Sequence, residues 1–376
     1  MSGRPPFVDE SRLESVVARF DLRGEVFRAE QLTAGHIHET WRVDVRNPDG
    51  ATAVVVQRIN RRVFPNPDAV MRNIGTVTRH LARKVWDRPD ARRRVLTPIP
   101  ARDGGLAVVD DTGEWWRAFF FIYGASTFDA VSDPSISRAA AAAFGRFLAD
   151  LSDLPPDDVE ETIPRFHDTP ARFEALMQAV QQDPLNRANR VRREIEFFIA
   201  RESDTKRLAD LQRSGTLPMR VVHNDCKINN VMIDNRTGEG LCVIDLDTVM
   251  RGLALYDFGD LVRTASCPAA EDEKDPSRIR VDETCFRAIA EGYLSGAGDV
   301  LVDAEVDLAV FAGKLITLET AMRFLTDYLL GDVYFRIHRP EHNLDRCRAQ
   351  CRLVESIEAM ESDLCRVVDM IWRAGG

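Results

Sequence analysis

The sequence contains no apolar run long enough to span a bilayer, no internal repeat and no low-complexity segment. Its first six residues, Met1-Ser2-Gly3-Arg4-Pro5-Pro6, hold no apolar core of the kind a secretion signal needs. No cysteine occurs before residue 226. The seven that follow (Cys226, Cys242, Cys267, Cys285, Cys347, Cys351 and Cys365) keep no metal-ligand spacing. An odd cysteine count without an export signal predicts a reducing, cytoplasmic setting. Cys347 and Cys351, one helical turn apart, read as core or surface thiols. A basic stripe is missing too. Residues 1–123 carry 20 Lys+Arg against 16 Asp+Glu, the remainder carry 30 against 44, and the net charge is −10. Such a balance argues against nucleic acid or an anionic membrane as partner and leaves a small molecule, with monomer and dimer both open. Arg92-Arg93-Arg94 reads as a solvated surface turn. A Gly-x-Gly-x-x-Gly phosphate loop is also absent.

What is present is a globular composition, 44% hydrophobic and 29% charged over 376 residues, enough for two or three domains or lobes with their own cores. Period-two patterns predict strands over Phe27–Leu32, Thr40–Val45, Ala53–Arg58, Leu106–Asp110 and Trp115–Ile122, with turn signals at Ala34-Gly35, Asn47-Pro48-Asp49-Gly50 and Asp111-Thr112-Gly113. Asp68 to Lys84 has helical spacing through Val70, Ile74, Val77 and Leu81. After Tyr123-Gly124 the pattern turns helical, over Ile136 to Leu154, Phe173–Val180, Val191–Arg201, 282–296, 302–330 and 344–373. The expected fold is α+β and bilobal. A small lobe over 1–123 has a five-stranded antiparallel sheet and one helix, and a large, mainly helical lobe covers 124–376. Residues 152–170 and 266–281, rich in Pro, Asp and Ser, predict exposed loops.

The chemistry concentrates in Val221-Val222-His223-Asn224-Asp225-Cys226-Lys227-Ile228-Asn229-Asn230-Val231, followed by Val243-Ile244-Asp245-Leu246-Asp247. Alone, a His-x-Asp turn is a local hydrogen-bonding device. Here an aspartate and an asparagine lie five residues apart, and another aspartate follows twenty residues after the first, all between strand-like runs. Phosphoryl transfer from ATP needs that set: a carboxylate to align and deprotonate an acceptor hydroxyl, and an amide and a second carboxylate to hold Mg²⁺ on the phosphates. Lys227 adds positive charge where the transferring phosphoryl group is negative.

In this order the residues resemble the catalytic and metal loops of the protein-kinase-like phosphotransferases. Flanking segments narrow the resemblance. Gly35-His36-Ile37-His38-Glu39-Thr40, Gln57-Arg58-Ile59-Asn60, Val63-Phe64, Met71-Arg72-Asn73-Ile74, Phe166-His167-Asp168-Thr169, Arg323-Phe324-Leu325-Thr326-Asp327-Tyr328-Leu329, Gly331-Asp332-Val333-Tyr334-Phe335 and His342-Asn343-Leu344-Asp345-Arg346 resemble the N-acetylhexosamine 1-kinases of the aminoglycoside phosphotransferase superfamily. The resemblance covers about residues 30 to 350 and implies a protein-kinase-like fold. It also implies ATP- and Mg²⁺-dependent phosphorylation of the anomeric hydroxyl of N-acetylglucosamine or N-acetylgalactosamine. Carried over by position, Asp225 is the expected base, Lys227 a phosphate contact, and Asn230 and Asp245 the metal ligands. Asp247 is a further metal candidate, by the alternation of extended chain. Asp257 and Asp260, in Tyr256-Asp257-Phe258-Gly259-Asp260, resemble a metal-binding Asp-Phe-Gly in letters only and are expected to brace the catalytic loop or a helix start. His223 is expected as a buried hydrogen-bonding anchor.

The expected nucleotide contacts are Gly35 and His36 in the first hairpin, Gln57 or Arg58 where kinases place a lysine, and the backbone of Phe120, Phe121 and Ile122 along the adenine edge. Expected acceptor contacts are His36, Asp225, Arg323, Asp327, Tyr334 and Arg346. Two alternatives remain open on the residues: a kinase for cationic aminoglycosides, suited to the acidic large lobe, and a nucleotide-binding pseudokinase, suggested by the missing glycine loop and lysine.

Overall fold

Period-two burial builds the first sheet. In the computed structural model, which describes residues 10–32, 37–48, 50–128 and 133–375, strands β1 (Glu25–Leu32), β2 (Glu39–Asn47), β3 (Gly50–Arg58), β4 (Val108–Val109) and β5 (Trp115–Phe120) pair antiparallel in the order β1-β2-β3-β5-β4. Trp41, Val43 and Val45 of β2, Val54 and Val56 of β3, and Trp116 and Ala118 of β5 share one face. Helix α1 (Glu10–Val17) covers that face with Leu13, Val16 and Val17. Helix α2 (Pro67–Lys84) starts at an Asn66 cap with Pro67 at its first turn, and buries Val70, Ile74, Val77 and Leu81. The short α3 (Ala91–Arg94) follows.

The smaller unit comprises residues 1–124 together with two later stretches, 157–163 and 245–249. Asn73 on α2 holds the first with a reciprocal pair of bonds, Nδ2 to the Glu160 carbonyl and Oδ1 from the Glu160 N–H, both 2.8 Å. The loop expected at 152–170 runs to the start of α5 at Thr169 and is exposed at Asp153, Asp157, Asp158, Glu160 and Glu161, but it is anchored inward by Leu154, Val159 and Thr162, which are buried.

The second unit is helical around small sheets. Its helices are α4 (Pro134–Asp150), α5 (Thr169–Gln182), α6 (Arg192–Ile199), α7 (Glu202–Arg213), α8 (Ala254–Ala265), α9 (Glu283–Ala297), α10 (Asp303–Asp307), α11 (Ala309–Leu330) and α12 (His342–Gly375). Strands β6 (Ala125–Ser126), β8 (Val231–Asp234) and β9 (Gly240–Val243) form one sheet, and β7 (Arg220–Val222) pairs with β10 (Met250–Gly252). The pattern expected as one helix over 302–330 breaks at Leu308 into α10 and α11. Helix α7 escapes the periodicity because only Thr205 and Leu208 of its twelve residues are buried. Helix α11 is buried almost all round. Leu318, Met322, Leu325 and Leu329 pack on Leu176 and Ala179 of α5 and on Leu344, Cys347 and Val354 of α12. All seven cysteines are free thiols, and Cys347 lies in this core. Among the described residues no helix is long and apolar enough to cross a membrane.

Candidate active site

Strand β7 ends at Val222 and delivers a polar loop whose backbone would be costly to bury unpaired. The Asp257 carboxylate, in the first turn of α8, accepts the main-chain N–H groups of His223 (3.0 Å) and Asn224 (2.7 Å). Asp257 is fully buried, and burial pushes its carboxyl above the usual range, with His223 and the N–H donors offsetting only part. His223, also buried, accepts the Asp225 N–H at Nδ1 (3.3 Å) and donates from Nε2 to the Ile244 carbonyl (3.0 Å), which fixes its tautomer. The expected anchoring roles of His223 and Asp257 are those the structure contains. Asp260 instead pairs with Arg263 at 2.7 Å, and Arg263 reaches Glu271 at 3.0 Å.

On this frame Asn224 adopts a left-handed backbone with φ of 66° and turns the chain into Asp225. Lys227 Nζ lies 2.7 Å from Asp225 Oδ1. The Asn230 amide nitrogen donates to the Asp225 carbonyl (2.9 Å) and to its Oδ2 (3.2 Å). Burial pushes the Asp225 carboxyl up, but Lys227, aided by His223 and Arg263, holds it below the usual range. The loop thus presents an ionised carboxylate beside an ammonium. With its amide nitrogen tied to Asp225, Asn230 has its oxygen left as the atom of metal-ligand chemistry. Among the described residues no three His, Cys, Asp or Glu side chains gather into a self-contained metal site. An amide oxygen and a carboxylate fit a hard cation that keeps water and phosphate oxygens as further ligands.

In the smaller unit Asp245 is left-handed too, with φ of 59°, and opens the one-turn helix Leu246–Thr248. Asp247, 2% exposed, is held on both oxygens: Arg117 of β5 grips it with both terminal nitrogens, and His38 Nε2 lies 2.7 Å from Oδ2. Gln57 is on the same network, accepting from Arg117 Nε (2.9 Å) and donating to Thr40 (3.1 Å). Arg58 points to the opposite face and pairs with Glu39. Gln57 and Arg58 thus face opposite sides of β3, and the positive charge beside Gln57 is Arg117 on the neighbouring strand. Phe120 closes β5 and is 42% exposed. The Phe121 N–H donates to the Ala53 carbonyl, and Ile122 is buried. Arg93, expected as a solvated turn residue, donates instead to the carbonyls of Tyr123 and Gly124. Gly35 and His36 lie outside the described residues.

Of the expected acceptor contacts, Asp327 is spent inside its own segment: its carboxylate accepts the N–H groups of Val333, Tyr334 and Phe335 and the Asn343 amide. Tyr334 is thereby held with its ring 61% exposed. The Arg323 guanidinium sits 5.5–5.9 Å from the rings of Phe166, Tyr334 and Phe335. Arg172 is close enough that burial and Arg323 together lower its pKa. Arg346 borders a cavity of about 270 Å³ lined also by Glu271, Asp272, His338, Arg339 and His342. Arg117, Arg172 and Glu319 carry no local sequence signal and acquire their neighbours through contacts a hundred or more positions away, whereas His167 lies in the Phe166–Thr169 segment quoted above, where no role was assigned to it.

A family model described as a phosphotransferase enzyme family matches residues 28–296. Three solved structures have similar folds. An aminoglycoside phosphotransferase from Alicyclobacillus acidocaldarius shares 13% identity, covering 98% of both chains with a TM-score of 0.61. A spectinomycin phosphotransferase, solved with ADP and spectinomycin, shares 12%, covering 98% of this chain and 99% of its own, with a TM-score of 0.53. A Plasmodium vivax ethanolamine kinase shares 12%, covering 86% and 82%, with a TM-score of 0.52.

Proposed function

The chain belongs to the phosphotransferase enzyme family, and on that premise we propose that it transfers the γ-phosphoryl group of ATP to the anomeric hydroxyl of an N-acetylhexosamine. The observation that carries the reading is Asp225, held ionised between Lys227 and Asn230 on a loop whose backbone Asp257 and His223 pin. The acceptor oxygen bonds to the γ-phosphorus, the bond from that phosphorus to the bridging oxygen breaks, ADP leaves, and the hydroxyl proton passes to Asp225. Asp225 aligns the hydroxyl and takes its proton as the new bond forms. Lys227 stabilises charge on the transferring group. Asn230 and Asp245 are assigned as oxygen ligands to Mg²⁺, which would neutralise the phosphates. Asp247, engaged by Arg117 and His38, is assigned as the anchor of the turn that carries Asp245.

Arg323 among Phe166, Tyr334 and Phe335, with Arg172 beside it, supports a neutral sugar: aromatic faces stack on sugar rings and guanidinium groups donate to an N-acetyl carbonyl. The same two arginines oppose a polycationic antibiotic. The second reading, an aminoglycoside kinase, draws on the fold of the aminoglycoside and spectinomycin phosphotransferases and on the acidic balance of residues 124–376. Phosphorus NMR with ATP, Mg²⁺ and a panel of N-acetylglucosamine, N-acetylgalactosamine, glucosamine, galactose and kanamycin separates them. A sugar 1-phosphate from the N-acetyl sugars is the expected product. Phosphorylated kanamycin alone would favour the second reading, and ATP binding without any transfer would favour a pseudokinase.

A further inference from the structure

The His167 side chain is only 7% exposed, yet nothing in the chemistry above uses it. Its Nε2 lies 3.0 Å from the main-chain carbonyl of Asn224, and its Nδ1 lies 2.9 Å from Glu319 Oε1. A carbonyl oxygen can only accept, so Nε2 must carry a proton. Glu319, 1% exposed on α11, already accepts the Thr169 hydroxyl on its other oxygen at 2.6 Å and is faced by Arg323. Those donors favour the carboxylate, which then takes a proton donated from Nδ1. Both ring nitrogens donate, and the imidazole is a cation.

The location matters more than the charge. Asn224 is the left-handed residue immediately before Asp225. Its N–H is held by Asp257 and its carbonyl by His167, so the kink that aims the carboxylate is gripped from both ends. The two grips come from different parts of the chain: Asp257 from α8, His167 from the segment before α5. Tyr256 of α8 lies against the imidazole at 4.8 Å and Phe166 edge-on at 4.7 Å, which leaves the ring no room to turn.

We propose that His167 is a positioning residue, kept as an imidazolium by Glu319, and that the proton on it fixes the Asn224 carbonyl and hence the aim of Asp225. The inference rests on Asp225 being the acceptor base. Around the imidazolium stand Glu319 and Arg323 from α11, Tyr256 and Asp260 from α8, and Asp168 and Arg172 from the start of α5. Burial lowers the pKa of His167, and Glu319, with the Asn224 carbonyl and Asp260, more than reverses this and leaves it above 6.5. The clamp is therefore complete below the ordinary histidine range and is lost as pH rises through the elevated value.

The test compares the full chain with His167→Gln and Glu319→Gln, by turnover against pH and by nitrogen NMR of the histidine side chains. Glutamine at 167 can still donate one bond but carries no titrating proton. We expect His167→Gln to lower kcat by about tenfold or more while KM for ATP stays within about twofold, and to abolish the alkaline decline that belongs to His167. Glu319→Gln keeps a hydrogen-bonding partner without the charge, so the alkaline decline should move to lower pH by about one unit or more. NMR of the wild type should show His167 still mainly doubly protonated at about pH 6.5, where an unperturbed histidine is half titrated. A kcat for His167→Gln within about twofold of wild type, or an alkaline limb unmoved in Glu319→Gln, would overturn the proposal. So would a single-proton tautomer for His167 at about pH 6.5. If the wild type transfers phosphate to no acceptor, the functional reading fails, and NMR alone still decides the charge state of the pair.

Discussion

Lys227 Nζ stands 2.7 Å from Asp225 Oδ1, on the same short loop and two residues along the chain. The ion pair gives Lys227 two functions in the proposed reaction: stabilising phosphoryl charge and keeping the neighbouring carboxyl ionised. Lys227→Met should lower kcat by about 10²-fold. It should also move the acidic limb of the pH profile upward, because the depression of the Asp225 pKa is removed while the upward push of burial remains. A pH profile with an unmoved acidic limb would separate Asp225 from the titration.

Asp225→Asn leaves the shape of the loop and removes the proton acceptor. The expected loss in kcat is about 10²–10⁴-fold, with ATP binding retained by calorimetry. Unchanged turnover would take Asp225 out of the mechanism.

Asp257 stabilises the loop without touching a reactant. Asp257→Ala strands the N–H groups of His223 and Asn224, at about 1–3 kcal/mol for each buried donor left unpaired. Thermal melts should fall, and kcat should fall with them. A protein with wild-type melting would show that water or another group takes over both donors.

Arg117 and Asp247 are a buried ion pair, 3% and 2% exposed at their side chains. Removing Arg117 leaves the Asp247 carboxylate buried with only His38 beside it among these charged partners, so Arg117→Leu should destabilise by about 3 kcal/mol, measured by urea titration. Asp247→Asn in the same chain should recover part of the loss. Burial pushes the Asp247 carboxyl up, and Arg117 and His38 hold it far below the usual range instead. Its contribution to stability is present above the ordinary aspartate range and declines as pH falls through the depressed value.

Helices α4 and α9 approach through glycine. A Cβ built on Gly292 would lie 2.3 Å from the Arg138 carbonyl, and one on Gly145 2.3 Å from the Tyr293 carbonyl. Both obstacles are backbone, so Gly292→Val should cost at least about 1–3 kcal/mol and lower the melting temperature. A neutral result would mean that the two helices can separate without loss.

The five strands, the helix from Asp68 to Lys84 and the polar loop around Asp225 were legible in the sequence because their signals are local. Alternation along β2 and β3 reports a half-buried sheet directly, and the spacing of Asp225 and Asn230 lies within one turn of chain. The Ala-rich pattern at 136–154 likewise announced α4. Other features had no local signal. The stretch 157–163 is polar enough to read as an exposed loop, and partners far along the chain, Asn73 and Arg72 at Glu160 and the Asp247 carbonyl at Thr162, make it part of a packed unit. Asp247 looked like a metal candidate by alternation from Asp245, but the left-handed Asp245 starts a helical turn that ends the alternation and brings Asp247 to Arg117.

By itself, then, the sequence determined the α+β class and the sheet-then-helix order, and it placed the residues of the proposed phosphotransfer set close together along the chain, since each is written in neighbouring residues. Only tertiary structure decided which charges meet. Arg117 reaches Asp247 across 130 positions and His167 reaches Glu319 across 152. Buried charges are tolerated only beside a partner, and that partner is chosen by the packing of distant elements, which no spacing along the chain encodes.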